Sequence, residues 1–236
     1  MKKIFSTVSI IVLFTCANSF AQDKVTIEKE DIKPARDFIT LSMHYDTWLN
    51  TPEEVNITGF GRGFSGHLSY DFPIKQSHFS FAPGIGISTS NIYFDKQILS
   101  LNQRGDSMRF INVDTSGIES QYKSSKYNYT YLEMPLELRY FSNKNNRNKG
   151  FKMSAGVKVG LLIGAKTRVK HNIIGTSIIE KVNSRRYLAT WRFVPTLRMG
   201  YGNFSVFGSY QVNSLFNPGE GPAVYPLSIG ISISGL

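Results

Sequence analysis

The chain has little cysteine and no long apolar run. Its single cysteine is Cys16, and 17 Phe and 12 Tyr supply much of its apolar character. A membrane-spanning helix needs roughly 20 consecutive apolar residues, and no segment reaches that length. If the N-terminal segment is removed, the mature chain has no thiol, which excludes disulfides, thiolate metal sites and a cysteine nucleophile.

The first 21 residues have the pattern of a secretory signal peptide. Lys2 and Lys3 precede a short apolar region, Ile4 to Phe14. Ser19 and Ala21 then put small residues at the −3 and −1 positions of a cleavage site. A buried N-terminal strand is the alternative. We expect residues 1–21 to be the signal peptide and residues 22–37, which are charged and without a period, to be a periplasmic lead-in.

A lipoprotein is a second alternative for the N-terminus, with Cys16 as the acylated residue. Thr15 occupies the preceding position, where Gly, Ala or Ser is expected, so the sequence favours cleavage after Ala21.

The chain is basic, with a formal charge of +10. Loss of Lys2 and Lys3 leaves 25 basic and 17 acidic residues, a charge of +8. Nucleic acid is one partner of basic chains, but an exported protein rarely meets it. Anionic lipid and lipopolysaccharide are the partners we expect.

Alternation of apolar and polar residues with period two dominates residues 38–236, and it predicts strands. The predicted strands are residues 38–49, 60–72, 78–93, 126–141, 151–169, 187–201, 204–212 and 224–233. Their connections alternate between long and short, with 94–125 the longest. Short turns at one end and long loops at the other are typical of an up-and-down barrel in the outer membrane. The sequence thus predicts an all-β, eight-stranded antiparallel transmembrane barrel with both termini in the periplasm.

A soluble barrel would also alternate, with its apolar face inward. Two features favour the membrane. The polar face is rich in small residues such as Gly63, Ser65, Ala82 and Gly86, which suit a narrow interior. Aromatic residues also lie near strand ends, as in the two interfacial girdles of membrane barrels. They are Tyr45, Trp48, Phe60, Tyr70, Phe72, Tyr93, Tyr140, Tyr187, Tyr201 and Tyr225.

Several segments resemble the PorT-like outer-membrane β-barrel family of Bacteroidetes. They are Phe81–Ser88 (FAPGIGIS), Tyr131–Tyr140 (YLEMPLELRY), Ala155–Gly164 (AGVKVGLLIG) and Pro226–Ser232 (PLSIGIS). The second is the most specific, because glycine-alternating strands are common in barrels. The resemblance implies an eight-stranded barrel. It implies little about activity, although the namesake supports protein secretion and gliding.

A charge cluster is predicted on the inward face. Its members are Glu133, Glu137, Arg139, Lys158, Arg192 and Arg198. The turn at 142–150 places Lys158 beside Glu133 or between Glu133 and Glu137, and counting onward places Arg198 near Lys158. Charges in a narrow lumen must pair because they lose their water. The cluster is therefore interpreted as a plug and not as a catalytic carboxylate pair.

Two histidines, His67 and His44, could take part in catalysis or in metal binding. His67 and Ser69 form a His-x-Ser pair like that of lipid A deacylases, but both are predicted to face inward, away from lipid. His44 should lie near Ser65 and His67, with Asp46 at a different level, so a third metal ligand is missing. The sequence favours hydrogen bonds in the lumen for both, with no metal and no cofactor.

A cluster of basic residues surrounds the third long loop. Its members are Arg168, Lys170, Lys181, Arg185 and Arg186. Contact with lipopolysaccharide phosphates and ordinary solvation of a loop are equally compatible with it.

The function expected from these features is that of a small non-enzymatic barrel with a filled polar lumen. Its role would be structural, or accessory to envelope assembly, secretion or surface interaction through the outer loops. The alternatives are a narrow pore or small-solute or lipid-binding barrel and, less favoured, a deacylase-like enzyme that modifies lipid A.

Overall fold

The computed structural model describes residues 39–100, 108–112, 122–143, 149–173 and 176–235. All of them lie in the compact unit Pro34–Leu236. The predicted signal peptide 1–21, the lead-in 22–37 and Cys16 lie outside the described residues. Among the described residues, no helix is long and apolar enough to cross a membrane.

Twelve strands account for the described fold. They are β1 (Ile39–Leu49), β2 (Arg62–Ser69), β3 (Phe72–Pro73), β4 (Phe79–Phe94), β5 (Gln97–Ser100), β6 (Arg109–Asn112), β7 (Tyr122–Phe141), β8 (Phe151–Ile173), β9 (Thr176–Asn183), β10 (Trp191–Tyr201), β11 (Phe204–Tyr210) and β12 (Tyr225–Ser234). Eight of them, β1, β2, β4, β7, β8, β10, β11 and β12, pair with their neighbours in chain order, and every pair is antiparallel.

The barrel closes where β12 returns to β1. Ten consecutive pairs join the two strands, from Thr40 opposite Ser234 to Leu49 opposite Tyr225. The amide of Ser234 also donates to the carbonyl of Asn203 in a short turn, at 2.9 Å. Both ends of the barrel chain therefore lie at the same end as the short turns, here called the turn end. The closed eight-stranded barrel predicted from the sequence is confirmed.

The outward face of the barrel is apolar and the inward face is polar. Met43, on the outward face, is 65% exposed, whereas its neighbours Ser42 and His44 are buried. The same alternation holds along β10, where Phe193 and Leu197 are exposed and Arg192 and Thr196 are buried. A soluble barrel would have the opposite arrangement, because exposed apolar bands of this size require an apolar solvent.

Two aromatic residues predicted for the girdles lie inside. Trp48 and Tyr187 are buried in an apolar cluster at the opposite end from the short turns, here called the loop end. Trp48 follows the inward phase of His44 and Asp46, so it belongs to the interior. The cluster also contains Phe94, Tyr127, Tyr129, Tyr131, Leu215 and Phe216. It fills the lumen where the long loops begin.

The long connections contain more regular structure than the sequence predicts. Within the expected loop 94–125, β5 and β6 pair as a hairpin and β7 begins at Tyr122, while residues 101–107 and 113–121 lie outside the described residues. The expected loop 170–186 contains β9, which pairs with the end of β8. Conversely, residues 187–190 are not part of β10, and Tyr187 has a φ of 73°. Periodicity misses these features because short hairpins and chain reversals carry few residues of pattern.

Candidate functional site

Glu133 lies at the centre of the barrel interior, on β7, and is 1% exposed. Its carboxylate accepts from Arg192 Nη2 on β10 at 2.6 Å and lies 2.8 Å from His67 Nε2 on β2. Lys158 Nζ on β8 lies 3.7 Å from the same carboxylate. A buried carboxylate is tolerated only when paired and hydrogen-bonded, and three strands besides its own supply the partners. We call Glu133, His67, Lys158 and Arg192 the central ion cluster.

Two glycines make the central ion cluster possible. Glu133 is opposite Gly86 on β4 and Gly160 on β8. His67 is opposite Gly86 on its far side, and Arg192 is opposite Gly160. A Cβ on Gly86 would lie 2.7 Å from His67 Cα, and one on Gly160 would lie 2.7 Å from Arg192 Cγ. Both side chains therefore reach Glu133 across a strand that presents no side chain at that level.

Aromatic rings flank the cations of this cluster. The guanidinium of Arg192 lies 3.9 Å from the ring centre of Tyr131, and Lys158 Nζ lies 6.0 Å from that of Phe207. Cation–π contacts of this kind stabilise cations that have lost water. Tyr131 belongs to the apolar cluster at the loop end, so the two halves of the interior meet at Arg192.

A second group of charges lies nearer the turn end. Glu137 accepts from Arg139 Nε at 2.9 Å and from Arg198 Nη2 at 3.0 Å. Arg139 Nη1 also donates to Asp71 at 3.1 Å. Below them, Lys152 Nζ donates to Ser234 Oγ at 2.6 Å. The interior thus contains two stacked groups of paired charges.

Register explains which predicted contacts form. Lys158 is opposite Pro135, between Glu133 and Glu137, as one of the two sequence alternatives has it. Arg198, predicted to lie near Lys158, is opposite Ser154, four residues along β8 from Lys158, and the charges of both cations act on Glu137. The count from the sequence does not give this register, because it crosses residues 170–190, where β9 and a chain reversal intervene.

Asp46 lies near His44, as the sequence predicts, but the expectation that it points to a different level is wrong. Its carboxylate lies 2.7 Å from His44 Nδ1 and accepts from Ser228 on β12. Residues two apart on one strand share a face, and the imidazole of His44 is long enough to reach the carboxylate of Asp46. His44 is opposite Gly63, two residues from the predicted neighbour Ser65, and His67 bonds to Glu133 instead.

Sequence reasoning missed His67 and Asp71 as members of the charge groups. A usable pattern was present for His67, since two glycines stand at its level on β4 and β8. His67 and Ser69 both face inward and are buried, as the alternation predicts.

The basic residues of the third loop separate into two groups. Arg168, Lys170 and Lys181 lie on the paired strands β8 and β9. Arg185 and Arg186 lie in the following loop, where the Arg186 guanidinium stands 4.9 Å from the ring centre of Tyr187.

Comparison with known families matches residues 20–217 to the model of an outer membrane protein beta-barrel domain. No curated protein matches the chain. Two solved structures are similar over 83% of this chain and 98% of their own, each at 9% identity. One is a mutant of the Rh. blastica porin, with a TM-score of 0.20, and the other, with 0.21, is described as "Asymmetric conductivity of engineered proteins". Similarity at that level carries no argument about fold or function.

Removal of the central carboxylate should destabilise the barrel. Glu133→Ala leaves Arg192 and Lys158 buried without their acid, at a cost of about 3–5 kcal/mol in the free energy of unfolding. We expect Glu137→Ala to act in the same direction, since Arg139 and Arg198 share its carboxylate. Urea unfolding of the purified barrel in lipid measures both. Glu53→Ala, at an exposed position, is the control. Unchanged midpoints for both interior variants would show that the lumen is wet.

Substitution of the glycine beside His67 should also destabilise. Gly86→Ala forces a methyl group against the neighbouring backbone, and overpacking of this kind costs about 1–3 kcal/mol. The matched control is Gly208→Ala on β11, where an added Cβ meets no atom within 4 Å. Equal unfolding midpoints for the two alanine variants would contradict the close packing across β4.

Proposed function

The chain belongs to the outer membrane protein β-barrel domain family, and from that premise we propose that it is a non-enzymatic barrel with a closed lumen. It resides in the outer membrane as an integral β-barrel. Its role in this proposal is structural, or accessory to envelope assembly, secretion or surface interaction.

The observation that carries the closed lumen is the row His67–Gly86–Glu133–Gly160–Arg192. It crosses five neighbouring strands at one level, from β2 to β10. An eight-stranded barrel has an interior just wide enough for side chains. Large side chains from opposite walls therefore meet at Glu133 and occupy the path that an ion would take.

The contacts of the His-x-Ser pair support a non-enzymatic role. A general base must reach the proton of its nucleophile, but among the described residues no hydrogen bond joins His67 to Ser69, and His67 Nε2 pairs with Glu133 at 2.8 Å. Both His67 and Ser69 face the lumen, whereas the acyl chains of a lipid substrate would lie against the outward face.

Contacts among the long connections support a role at the surface. The Gln97 side chain accepts from the Asn56 amide at 2.8 Å, and Met108 N donates to the Glu220 carbonyl at 2.9 Å. Asn50 donates to the Ala223 carbonyl at 2.8 Å. The loops hold one another above the apolar cluster, and such a pre-ordered surface suits recognition of a partner.

Membership of the PorT-like branch in Bacteroidetes is part of the proposal. Its most specific support, Tyr131–Tyr140, is the segment of β7 that carries Glu133 and Glu137. In this proposal, the segment that most resembles the family is also the segment that contains residues closing the lumen.

One observation favours the alternative of a barrel that binds a small polar solute. A small pocket in the lumen is lined by His44, Lys158, Arg192, Gln211 and Ser228, among others. Within the part of the chain that the structure describes, Arg192 Nε and Gln211 Oε1 have no hydrogen-bond partner.

Conductance in a planar bilayer separates the closed barrel from a pore. We expect the wild-type protein to show no steady open level. The triple variant Glu133→Ser, Lys158→Ser, Arg192→Ser removes three side chains of the central ion cluster together with their charges, and should show brief openings, because the apolar cluster at the loop end remains in place. Leu41→Ser, Val157→Ser and Leu197→Ser, all outward, form the control. A steady open level in the wild type would establish the pore instead.

Protease treatment of intact cells tests the orientation. With both termini in the periplasm, the connection 94–125 lies outside the cell, and trypsin should cut at Arg109, which is exposed. Lys149, in a turn at the opposite end, should be protected. Cleavage at Lys149 combined with protection at Arg109 would show that the orientation is inverted.

A further inference from the structure

The outward face of β8 changes abruptly from apolar to basic near the loop end. Its outward residues are first Phe151, Met153, Ala155, Val157, Val159, Leu161 and Ile163, and then Lys166, Arg168 and Lys170. The apolar part rises about 40 Å along the strand at ~3.3 Å per residue. With a tilt of about 45°, this covers roughly 28 Å of bilayer, close to the ~30 Å of a hydrocarbon core. The first cation therefore lies at the level of the lipid head groups.

Register gathers further cations at this level. Arg168 is directly opposite Lys126 on β7 and Lys181 on β9, so three cations stand side by side on adjacent strands. Lys166 and Lys170 occupy the adjacent same-face positions of β8. We call Lys126, Lys166, Arg168, Lys170 and Lys181 the basic ladder. Like charges directly opposite one another destabilise a sheet.

No carboxylate of the described residues relieves this repulsion. None of the salt bridges among them involves a member of the basic ladder. The nearest acid in sequence, Glu180, is opposite Val169, whose side chain is buried. Glu180 therefore lies on the other face of the strand from Lys181. Because no carboxylate of the described residues pairs with this row of cations, the row is suited to bind an anion that is not part of the protein.

We propose that the basic ladder binds the phosphate groups of lipopolysaccharide, with the acyl chains against Val159, Leu161 and Ile163. Arginine matches the geometry of phosphate oxygens and lysine adds point charge. Adjacent strands are ~4.8 Å apart, so the long side chains of Lys126, Arg168 and Lys181 are close enough in the row to contact one phosphate group together. The apolar band directly beneath selects a lipid over a free phosphate. The assignment to lipopolysaccharide rests on the orientation in the proposed function, which places the loop end in the outer leaflet.

Binding is tested with the full-length mature protein in phosphatidylcholine nanodiscs, with and without lipid A. Native mass spectrometry counts the lipid A retained by each barrel. The test variant is Lys126→Gln, Arg168→Gln, Lys181→Gln. The control variant loses the same charge at exposed positions elsewhere: Lys75→Gln, Lys96→Gln, Arg109→Gln. Each cation near a charged surface contributes a factor of about five, so the test variant should bind lipid A roughly 100-fold more weakly. The control should bind like the wild type.

Stability provides the second measurement, since a folding defect would also lower binding. Without lipid A, the test variant should unfold at the same or a higher urea concentration than the wild type, because three repelling charges are gone. With lipid A, the wild type should gain stability and the test variant should not. A test variant that is less stable without lipid A would overturn the argument from repulsion.

Three further results would overturn the proposal. The first is that the wild type and the test variant retain equal amounts of lipid A, and the second is that the wild type retains dephosphorylated lipid A as well as it retains lipid A. The third is that inorganic phosphate displaces all of the lipid A, which would make free phosphate the ligand. Failure of the proposed function is distinguishable from these outcomes. A wild-type barrel that conducts ions and still retains lipid A would refute the closed lumen and leave the basic ladder standing.

Discussion

The buried carboxylate of Glu133 is the constraint on which the interior of this barrel depends. A carboxylate with so little access to water requires partners on several sides. His67, Lys158 and Arg192 supply them from strands on both sides of β7. Because these strands curve around the lumen, the same contacts that satisfy the charge also close the path through it. Charge compensation and closure are one arrangement.

Space in the narrow lumen sets the second condition. At the level of Glu133, Gly86 and Gly160 leave room for the side chains of His67 and Arg192 to cross. Toward the loop end, the interior changes from paired charges to aromatic packing around Trp48 and Tyr129. This change coincides with the beginning of the connections that hold one another above the barrel. On the outward face of β8, the apolar residues are followed by cations at nearly the same height. Both the inner and the outer face therefore change in character at a similar level along the barrel axis.

The sequence predicts the barrel well because its dominant pattern, alternation, is local and repeats eight times. It also identifies Glu133, Glu137 and Lys158 as inward charges, since only phase along a strand is needed for that. Contacts between strands are harder to predict. Across the short turn 142–150 the count places Lys158 between Glu133 and Glu137, where the structure has it. Across residues 170–190 the count places Arg198 only in the neighbourhood of Lys158, and its partner Ser154 is not predicted, because β9 and the reversal at Tyr187 intervene. The position of Trp48 near a strand end predicts the girdle, whereas its phase along β1 places it inside.

The junction between β1 and β12 has a consequence for how the protein assembles. Its partners are the most distant along the chain, as the bond between Asp46 and Ser228 illustrates with a sequence separation of 182. Closing so large a loop has an entropic cost that is recovered only when the whole set of ladder bonds forms. We therefore expect the seven hairpin-like pairings to form first, as a curved sheet with two free edges. Such edges are prone to pair with other chains. The newly exported chain therefore has to be kept apart from its copies until β1 and β12 have paired.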